Sequence, residues 1–374
     1  MNATASLRVV HVDTARRWGG GQRQLHALAT AMQQGGHCSW VAARPLTRLA
    51  SELVRAGVRV VPLSPTCEWD PVAVARLRAA LRQARAQVVH AHDAHAVAVA
   101  ALAVIGLPVR LVASRRVALP LRRNPLSRWK YAQPARFIAV SDRVRAALAA
   151  CGVAAERVTV VRSGVDLSRP SPRAADATLR ELGVEPGRPL AVMVSALDPP
   201  HKDPVTFLAG IAAARHAGVD VQALLVGDGP LAGLARQINR ELRLEGIVHL
   251  AGYRTDAIEL LAAADVAVLT SRDEGLGTSL LDAMLAGVPV VATAAGGVRE
   301  VVRDGVDGLL VPVGDGAALG GAICRVVSDA ALRRGLVENA RRRVTGFSIQ
   351  GTIEGTLAVY RRLEDEIPGR RRAR

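Results

Sequence analysis

The chain has 374 residues, 50% of them hydrophobic and 3% aromatic, with a formal net charge of +16. That length suits two domains of ordinary size, and the hydrophobic share excludes a disordered chain while demanding a core built from Ala, Val and Leu. Residues 1–165 hold 24 Lys plus Arg against 7 acids, whereas the remainder holds 25 against 26, so the basic excess sits in the first half and points to a polyanionic partner there. The Arg-rich composition of a GC-biased genome explains why 47 of the 49 basic residues are Arg, but not this asymmetry.

Valine-rich runs alternating with alanine-rich ones predict an α/β chain. A strand at 7–12 leads into RRWGGGQ at 16–22, whose three glycines open the helix QRQLHALATAMQQGG and let main chain approach a phosphate. Strands recur at about 38–42, 58–62 and 88–91, in the order of a doubly wound sheet. The last of these runs into VVHAHDAH at 88–95. Alternation places His90 and His92 on one side of the extended segment, with Asp93 pointing away if the strand persists. Metal binding is the rival reading for these histidines, discounted because no carboxylate or Cys completes a ligand spacing.

Next, Arg115, Arg116, Arg122, Arg123, Arg128 and Lys130, with Pro120 and Pro125 and ending in Trp129 and Tyr131, predict a loop and short helix. It is either a solvated loop or a face for a membrane or an anionic acceptor. Residues 137–153 read as strand, Ser141 N-cap and helix. VTVVRSGVDLSRP then leads out of a first domain, and Pro170, Pro172, Pro186 and Pro189 mark a linker. A second domain opens on the strand of PLAVMVSALDPPHKDPVTFLAG, after which Lys202 lies in a proline-rich turn as a point charge suited to a diphosphate. Gly227, Asp228, Gly229 and Pro230 end the next strand, and Gly252, Tyr253 and Arg254 follow a third.

The segment TSRDEGLGTSLLDAMLAGVPVVATAAGGVRE at 270–300 concentrates polar groups at one sheet edge. The buried run 266–269 ends there, and Glu274, Gly275, Leu276, Gly277, Thr278 and Ser279 form a loop opening a helix with unpaired amides, a setting for phosphate. Glu274 in the loop and Asp282 in the helix can converge on one ligand, and Gly296, Gly297 and Glu300 form a second glycine turn. Taken singly, each acid reads as a solvated helix-end charge and each glycine as a turn; at the carboxyl ends of neighbouring strands, a binding site is favoured. Cys38, Cys67, Cys151 and Cys324 are scattered and predict neither disulfide nor zinc site. No signal peptide is expected from MNATASLRVVHVD, and the longest apolar run, 96–109, is too short to span a bilayer.

The Glu274/Asp282 spacing resembles the E-x7-E element of family 4 retaining glycosyltransferases, with Asp in place of the second Glu. GDGP at 227–230, HLAGY at 249–253, AADVAVLTSRDEG at 263–275, AMLAGVPVVAT at 283–293, GGVRE at 296–300 and DGLLVP at 307–312 resemble that family too. The resemblance implies the GT-B fold, two Rossmann-like doubly wound parallel-sheet domains facing across a cleft. The expected boundaries are an acceptor-side domain at 1–168, a linker at 169–187, a nucleotide-sugar domain at 188–346, a helix at 347–367 crossing back, and a basic tail at 368–374.

It further implies that Glu274 binds the donor sugar, Asp282 the ribose, and Lys202 with the amides of Gly275, Leu276, Gly277, Thr278 and Ser279 the diphosphate. Gly20 and Gly21 would face that diphosphate, Tyr253 the base and Gly229 the donor; Gly297 and Glu300 would support the pocket. His92, with His90 as alternative, would lie near the anomeric carbon, and Arg115, Arg116, Arg122 and Arg123 on the acceptor side. Where the family carries a phosphate-binding Arg this chain has Ala196, for which Arg16, Arg17 or Arg272 are candidate substitutes.

The expected function is transfer of a sugar, with retention, from a UDP-linked donor to a hydroxyl acceptor in cell-surface glycan, lipopolysaccharide or glycolipid synthesis. No cofactor or metal is expected, and the expected location is cytoplasmic, peripheral at an anionic membrane. The alternatives are a sugar-nucleotide epimerase, which needs no acceptor, and a non-catalytic nucleotide- or nucleic-acid-binding protein, disfavoured by the sparse aromatics.

Overall fold

The computed structural model describes residues 6–119, 121, 124–169 and 172–366; Arg122, Arg123, Pro120, Pro170 and the basic tail lie outside them. It divides into two compact units, 1–163 with 349–374, and 164–348.

The N-terminal unit carries strands β1 (Arg8–Asp13), β2 (Cys38–Ala43), β3 (Arg59–Pro62), β4 (Val88–Ala91), β5 (Arg110–Arg115), β6 (Arg136–Ala139) and β7 (Val158–Val160), with helices α1 (Gly20–Gln34), α2 (Arg48–Arg55), α3 (Pro71–Gln83), α4 (Ala94–Ala103), α5 (Pro125–Ala132) and α6 (Asp142–Ala150). The C-terminal unit carries β8 (Leu190–Val194), β9 (Gln222–Val226), β10 (Val248–Gly252), β11 (Val266–Leu269), β12 (Val290–Thr293) and β13 (Leu309–Val311). Its helices are α7 (Asp176–Glu181), α8 (Pro204–His216), α9 (Ala232–Glu241), α10 (Ala257–Ala262), α11 (Thr278–Ala286), α12 (Val298–Val301), α13 (Gly316–Ser328) and α14 (Ala330–Val344). The chain then returns to the N-terminal unit as α15 (Ile349–Asp365).

Both sheets are wholly parallel, ordered β3-β2-β1-β4-β5-β6-β7 and β10-β9-β8-β11-β12-β13. Helices cover both faces of such a sheet, so the strands read as unbroken apolar runs; β11 and β12 are buried at every position. Strand order reverses between β1 and β4 and between β8 and β11, and connections leave in opposite directions there, opening a crevice at the carboxyl ends of the strands. The turns singled out in the sequence for donor binding follow β1, β4, β8, β9, β10, β11 or β12.

The C-terminal core packs Met193, Phe207, Leu225, Val291 and Ile323 at 0–1% exposure. In the N-terminal unit α15 supplies Ile353, Val359, Tyr360 and Leu363 to a core shared with Leu7, Val9, Met32 and Ile138. Most helices start from a side-chain cap: Thr47, Asp70, Asp93, Asn124, Ser141, Asp203, Asp315 and Asp329 each accept a first-turn amide. Helices α1 and α11 instead start after Gly19 and Gly277 with no side-chain cap, which leaves first-turn amides available to a ligand.

Candidate active site

In the C-terminal unit the loops after β8 and β11 are stitched together. The Arg272 N–H donates to the His201 carbonyl at 2.7 Å, the Thr270 hydroxyl donates to the Asp203 carbonyl at 2.6 Å, and Lys202 and Ser271 form an antiparallel bridge. Thr293, at the end of β12, fixes the other side, taking the Ser271 N–H at 2.9 Å and donating to the Ser271 carbonyl at 2.8 Å. The result is that Lys202 and Glu274, 72 residues apart, form a short ion pair between Nζ and Oε2, their side chains only 18% and 15% exposed. The Ser271 hydroxyl donates to the same carboxylate at 3.1 Å. Burial pushes the Glu274 carboxyl up, but the Lys202 charge and hydrogen bond, Ser271 and the Gly275 N–H outweigh it and hold the group below its ordinary range.

The second glycine turn underlies this loop. The Gly297 N–H donates to the Glu274 carbonyl at 2.8 Å, and a Cβ on Gly297 would lie 2.1 Å from the Gly275 oxygen. A Cβ on Gly296 would lie 2.3 Å from the Glu274 oxygen, and one on Gly229 would lie 2.3 Å from the Leu197 oxygen. These glycines are required where one loop's backbone rests on another's. Gly297→Ala is therefore expected to cost about 2–3 kcal/mol by overpacking and to shift the Glu274 loop. Urea unfolding measures the first effect, and a weakened nucleotide-induced thermal shift the second.

Helix α11 begins at Thr278 after Gly277, whose φ of 88° only glycine adopts readily. Asp282 follows one turn later at 8% exposure. Tyr253 stands at the end of β10, 49% exposed, and Glu300 lies half-buried on α12, its carbonyl accepting from Arg343 at 2.7 Å. Arg272 lies 3.4 Å from Asp203, the residue after Lys202. It is the described candidate from this unit for the cation missing at Ala196.

In the N-terminal unit the HxH step has a partner the sequence did not reveal. His11 of β1 lies in register with His90 of β4, and His11, His90 and His92 bring ring nitrogens within 4.8 Å of one another, all at 5% exposure or less. Burial lowers the pKa of all three, His11 to about 3, so the rings are neutral. Arg116 sets their tautomers. Its guanidinium, which can only donate, meets His92 Nδ1 at 3.3 Å, so the His92 proton resides on Nε2 and is donated to His11 Nδ1 at 3.1 Å. The His11 proton then sits on Nε2, a buried donor with no partner among the described residues. His90 is engaged by the Tyr360 hydroxyl at 2.5 Å and the Ser114 hydroxyl at 2.8 Å. This is the one group of the described residues with metal-ligand proximity, and it fits a metal poorly, since its lone pairs are engaged and a partly buried guanidinium adjoins it.

Asp93 departs from expectation because the strand stops at Ala91. It caps α4 at the Ala96 N–H and takes the Thr14 N–H at 2.6 Å, binding β4's end to β1's. Asp13, which sequence reasoning passed over, is 1% exposed and accepts from Gln22 and Ala15; burial, then Asp93, pushes its carboxyl up to about 6. Part of the basic stretch is held against the fold. Arg116 lies under the α1 turn, where a Cβ on Gly21 would come within 3.2 Å of its Cδ; Arg115 donates to the Leu119 carbonyl; Lys130 is buried against Glu68. Gly20 is the first residue of α1.

Two family models match this chain: Glycosyltransferase Family 4 over residues 18–169 and Glycosyl transferases group 1 over 188–329. The chain belongs to the family 4, group 1 glycosyltransferases. Among sequence relatives, a D-inositol 3-phosphate glycosyltransferase of Geodermatophilus obscurus is 35% identical over 250 residues, 63% of this chain and 54% of that one. A lipopolysaccharide core biosynthesis glycosyltransferase of Rhizobium meliloti is 34% identical over 182 residues, 46% of this chain and 54% of that one. The matched region thus spans about half the length of these relatives. Among solved structures, Anabaena HepE in complex with UDP and glucose superposes with a TM-score of 0.82 at 22% identity, covering 94% of this chain and 99% of that one. A Rickettsia africae glycosyltransferase also superposes at 0.82, with 18% identity, 97% of this chain and 100% of that one. The expected GT-B class of two parallel-sheet Rossmann-like domains is thereby met.

Proposed function

We propose that the protein transfers a sugar, with retention of anomeric configuration, from a UDP-linked donor to a hydroxyl acceptor of a glycan or glycolipid. The observation that carries this reading is the Lys202–Glu274 pair beside the uncapped start of α11. A departing nucleoside diphosphate needs fixed positive charge, which the ammonium of Lys202 and the amides of Thr278 and Ser279 supply without reorganisation. Glu274, ionised and oriented by Ser271, is a hydrogen-bond acceptor for donor-sugar hydroxyls, and Asp282 takes the ribose. Arg272 supplements Lys202, and Tyr253, half-exposed, borders the base. His92, kept neutral by burial, offers polarity without charge, and the leaving diphosphate assists deprotonation of the acceptor. This scheme uses no metal. UDP is favoured because HepE was solved with UDP and UDP-glucose, and a surface-glycan acceptor because the Rhizobium relative acts in lipopolysaccharide core synthesis.

Thermal-shift screening against UDP, GDP, ADP and their sugars tests the donor, since a ligand at a hundred times its Kd stabilises by about 2.7 kcal/mol. UDP and a UDP-sugar are expected to raise Tm, with Glu274→Gln retaining the response to UDP and losing the increment from the sugar. Equal increments in wild type and variant would remove Glu274 from the sugar site.

A further inference from the structure

The chain has four Trp, and two of them meet at the surface of the N-terminal unit. Trp69, just before α3, and Trp129, on α5, are half-buried with ring centroids 5.8 Å apart. One turn from each ring is an outward aliphatic side chain: Val72 in the first turn of α3, 57% exposed, and Leu126 in the first turn of α5, 59% exposed. The acids of this surface are committed inward. Glu68 pairs at 2.7 Å with Lys130, which is 4% exposed and also donates to the Ala94 carbonyl; Asp70 caps α3 and accepts the Thr66 N–H. The exposed charges on the same helices are Arg76, Arg82 and Arg128, none of which forms an ion pair among the described residues.

A single exposed aliphatic side chain requires no explanation. Here two aliphatic tips and two partly exposed indoles stand on α5 and on α3 with the turn before it, a turn held to α5 by the part-buried Glu68–Lys130 ion pair, in a chain with only 3% aromatic residues, and the exposed charges on these helices are guanidinium groups. That composition matches the bilayer interface, where indole rings sit at headgroup depth, aliphatic side chains enter the acyl boundary and arginines meet lipid phosphates. We propose that the face formed by Trp69, Val72, Leu126 and Trp129, flanked by Arg76 and Arg128, docks on an anionic lipid bilayer. The positive excess of residues 1–165 supplies the long-range attraction. No helix among the described residues is long and apolar enough to cross a membrane, and this mode of attachment needs none. The inference goes beyond sugar transfer and does not depend on it.

The test is sedimentation of the full-length protein with vesicles of phosphatidylcholine alone or with about one third phosphatidylglycerol, at low and high salt. Binding is expected to the anionic vesicles only and to weaken with salt. Leu126→Glu is expected to reduce binding about tenfold, and the pair Arg76→Glu with Arg128→Glu about thirtyfold or more. Circular dichroism and the thermal-unfolding midpoint serve as the folding control and are expected to be unchanged in each variant. Vesicle binding that ignores both sets of substitutions would overturn the assignment. So would absence of vesicle binding, or a face that instead drives self-association or DNA binding lost in the same variants.

Discussion

Lys202→Ala is expected to destabilise the protein by about 2–4 kcal/mol at neutral pH and by much less in acid, because it leaves a largely buried carboxylate without its cation. The sign follows from linkage. In the native protein Glu274 sits below its ordinary value of 4.5, so its pairing stabilises the fold above that pH and the contribution is lost as pH falls through the lower, folded value. With Lys202 removed, the burial that already pushes Glu274 upward loses its main opponent, and the ionised form becomes a cost wherever pH exceeds the unfolded value. Urea unfolding at pH 7.5 and pH 4 should therefore show a deficit that shrinks on acidification, and adding Glu274→Gln should recover most of it. A pH-independent deficit would mean that Lys202 acts through packing and not through its charge. The same substitution is expected to abolish the UDP thermal shift.

Asp13→Asn should move stability the other way. The Asp13 carboxyl is pushed up to about 6 from 3.8, so the folded state binds a proton that the unfolded state releases, and stability falls as pH rises between those values. Above pH 6 the ionised group costs about 3 kcal/mol, from roughly two units at 1.36 kcal/mol each. Asn keeps the shape, accepts from the Ala15 N–H, and faces a Gln22 amide free to turn its oxygen inward. The variant is expected to gain up to about 3 kcal/mol at pH 7.5 and nothing at pH 3.5, read from paired denaturation curves. A carboxylate retained at such a cost, next to Arg116 and the start of α1, is the kind of group that stability alone would discard. Loss of sugar transfer by this more stable variant would identify what retains it.

Much of this architecture was legible in advance because it rests on local signals. Buried parallel strands are short β-branched runs, helix starts carry Ser, Thr, Asp or Asn, and the loops after β8, β9, β11 and β12 announce themselves by glycine and proline. The places of Lys202, Glu274 and Asp282 in the fold were legible for the same reason, each lying in such a loop or one turn beyond it. What the sequence could not show depends on strand register and loop-to-loop contact. His11 looks like any alternate residue of a buried strand until β1 and β4 align. Tyr360 lies 270 residues from the His90 that it engages. The pairing of Lys202 with Glu274 follows from two loops being stitched backbone to backbone, and the same contacts explain why Gly229, Gly296 and Gly297 must lack side chains. Asp93 was misplaced because its strand already ends at Ala91, a boundary that alternation does not mark.

The return of α15 to the N-terminal unit has a consequence for biosynthesis. As the nascent chain leaves the ribosome, its first 163 residues can pair their strands, but the apolar face awaiting Ile353, Val359, Tyr360 and Leu363 stays uncovered, and His90 lacks its phenol. The intervening unit, complete within itself, is free to mature first. Final closure of the earlier-made portion is thus postponed until α15 has emerged, and chaperone demand should concentrate in that interval.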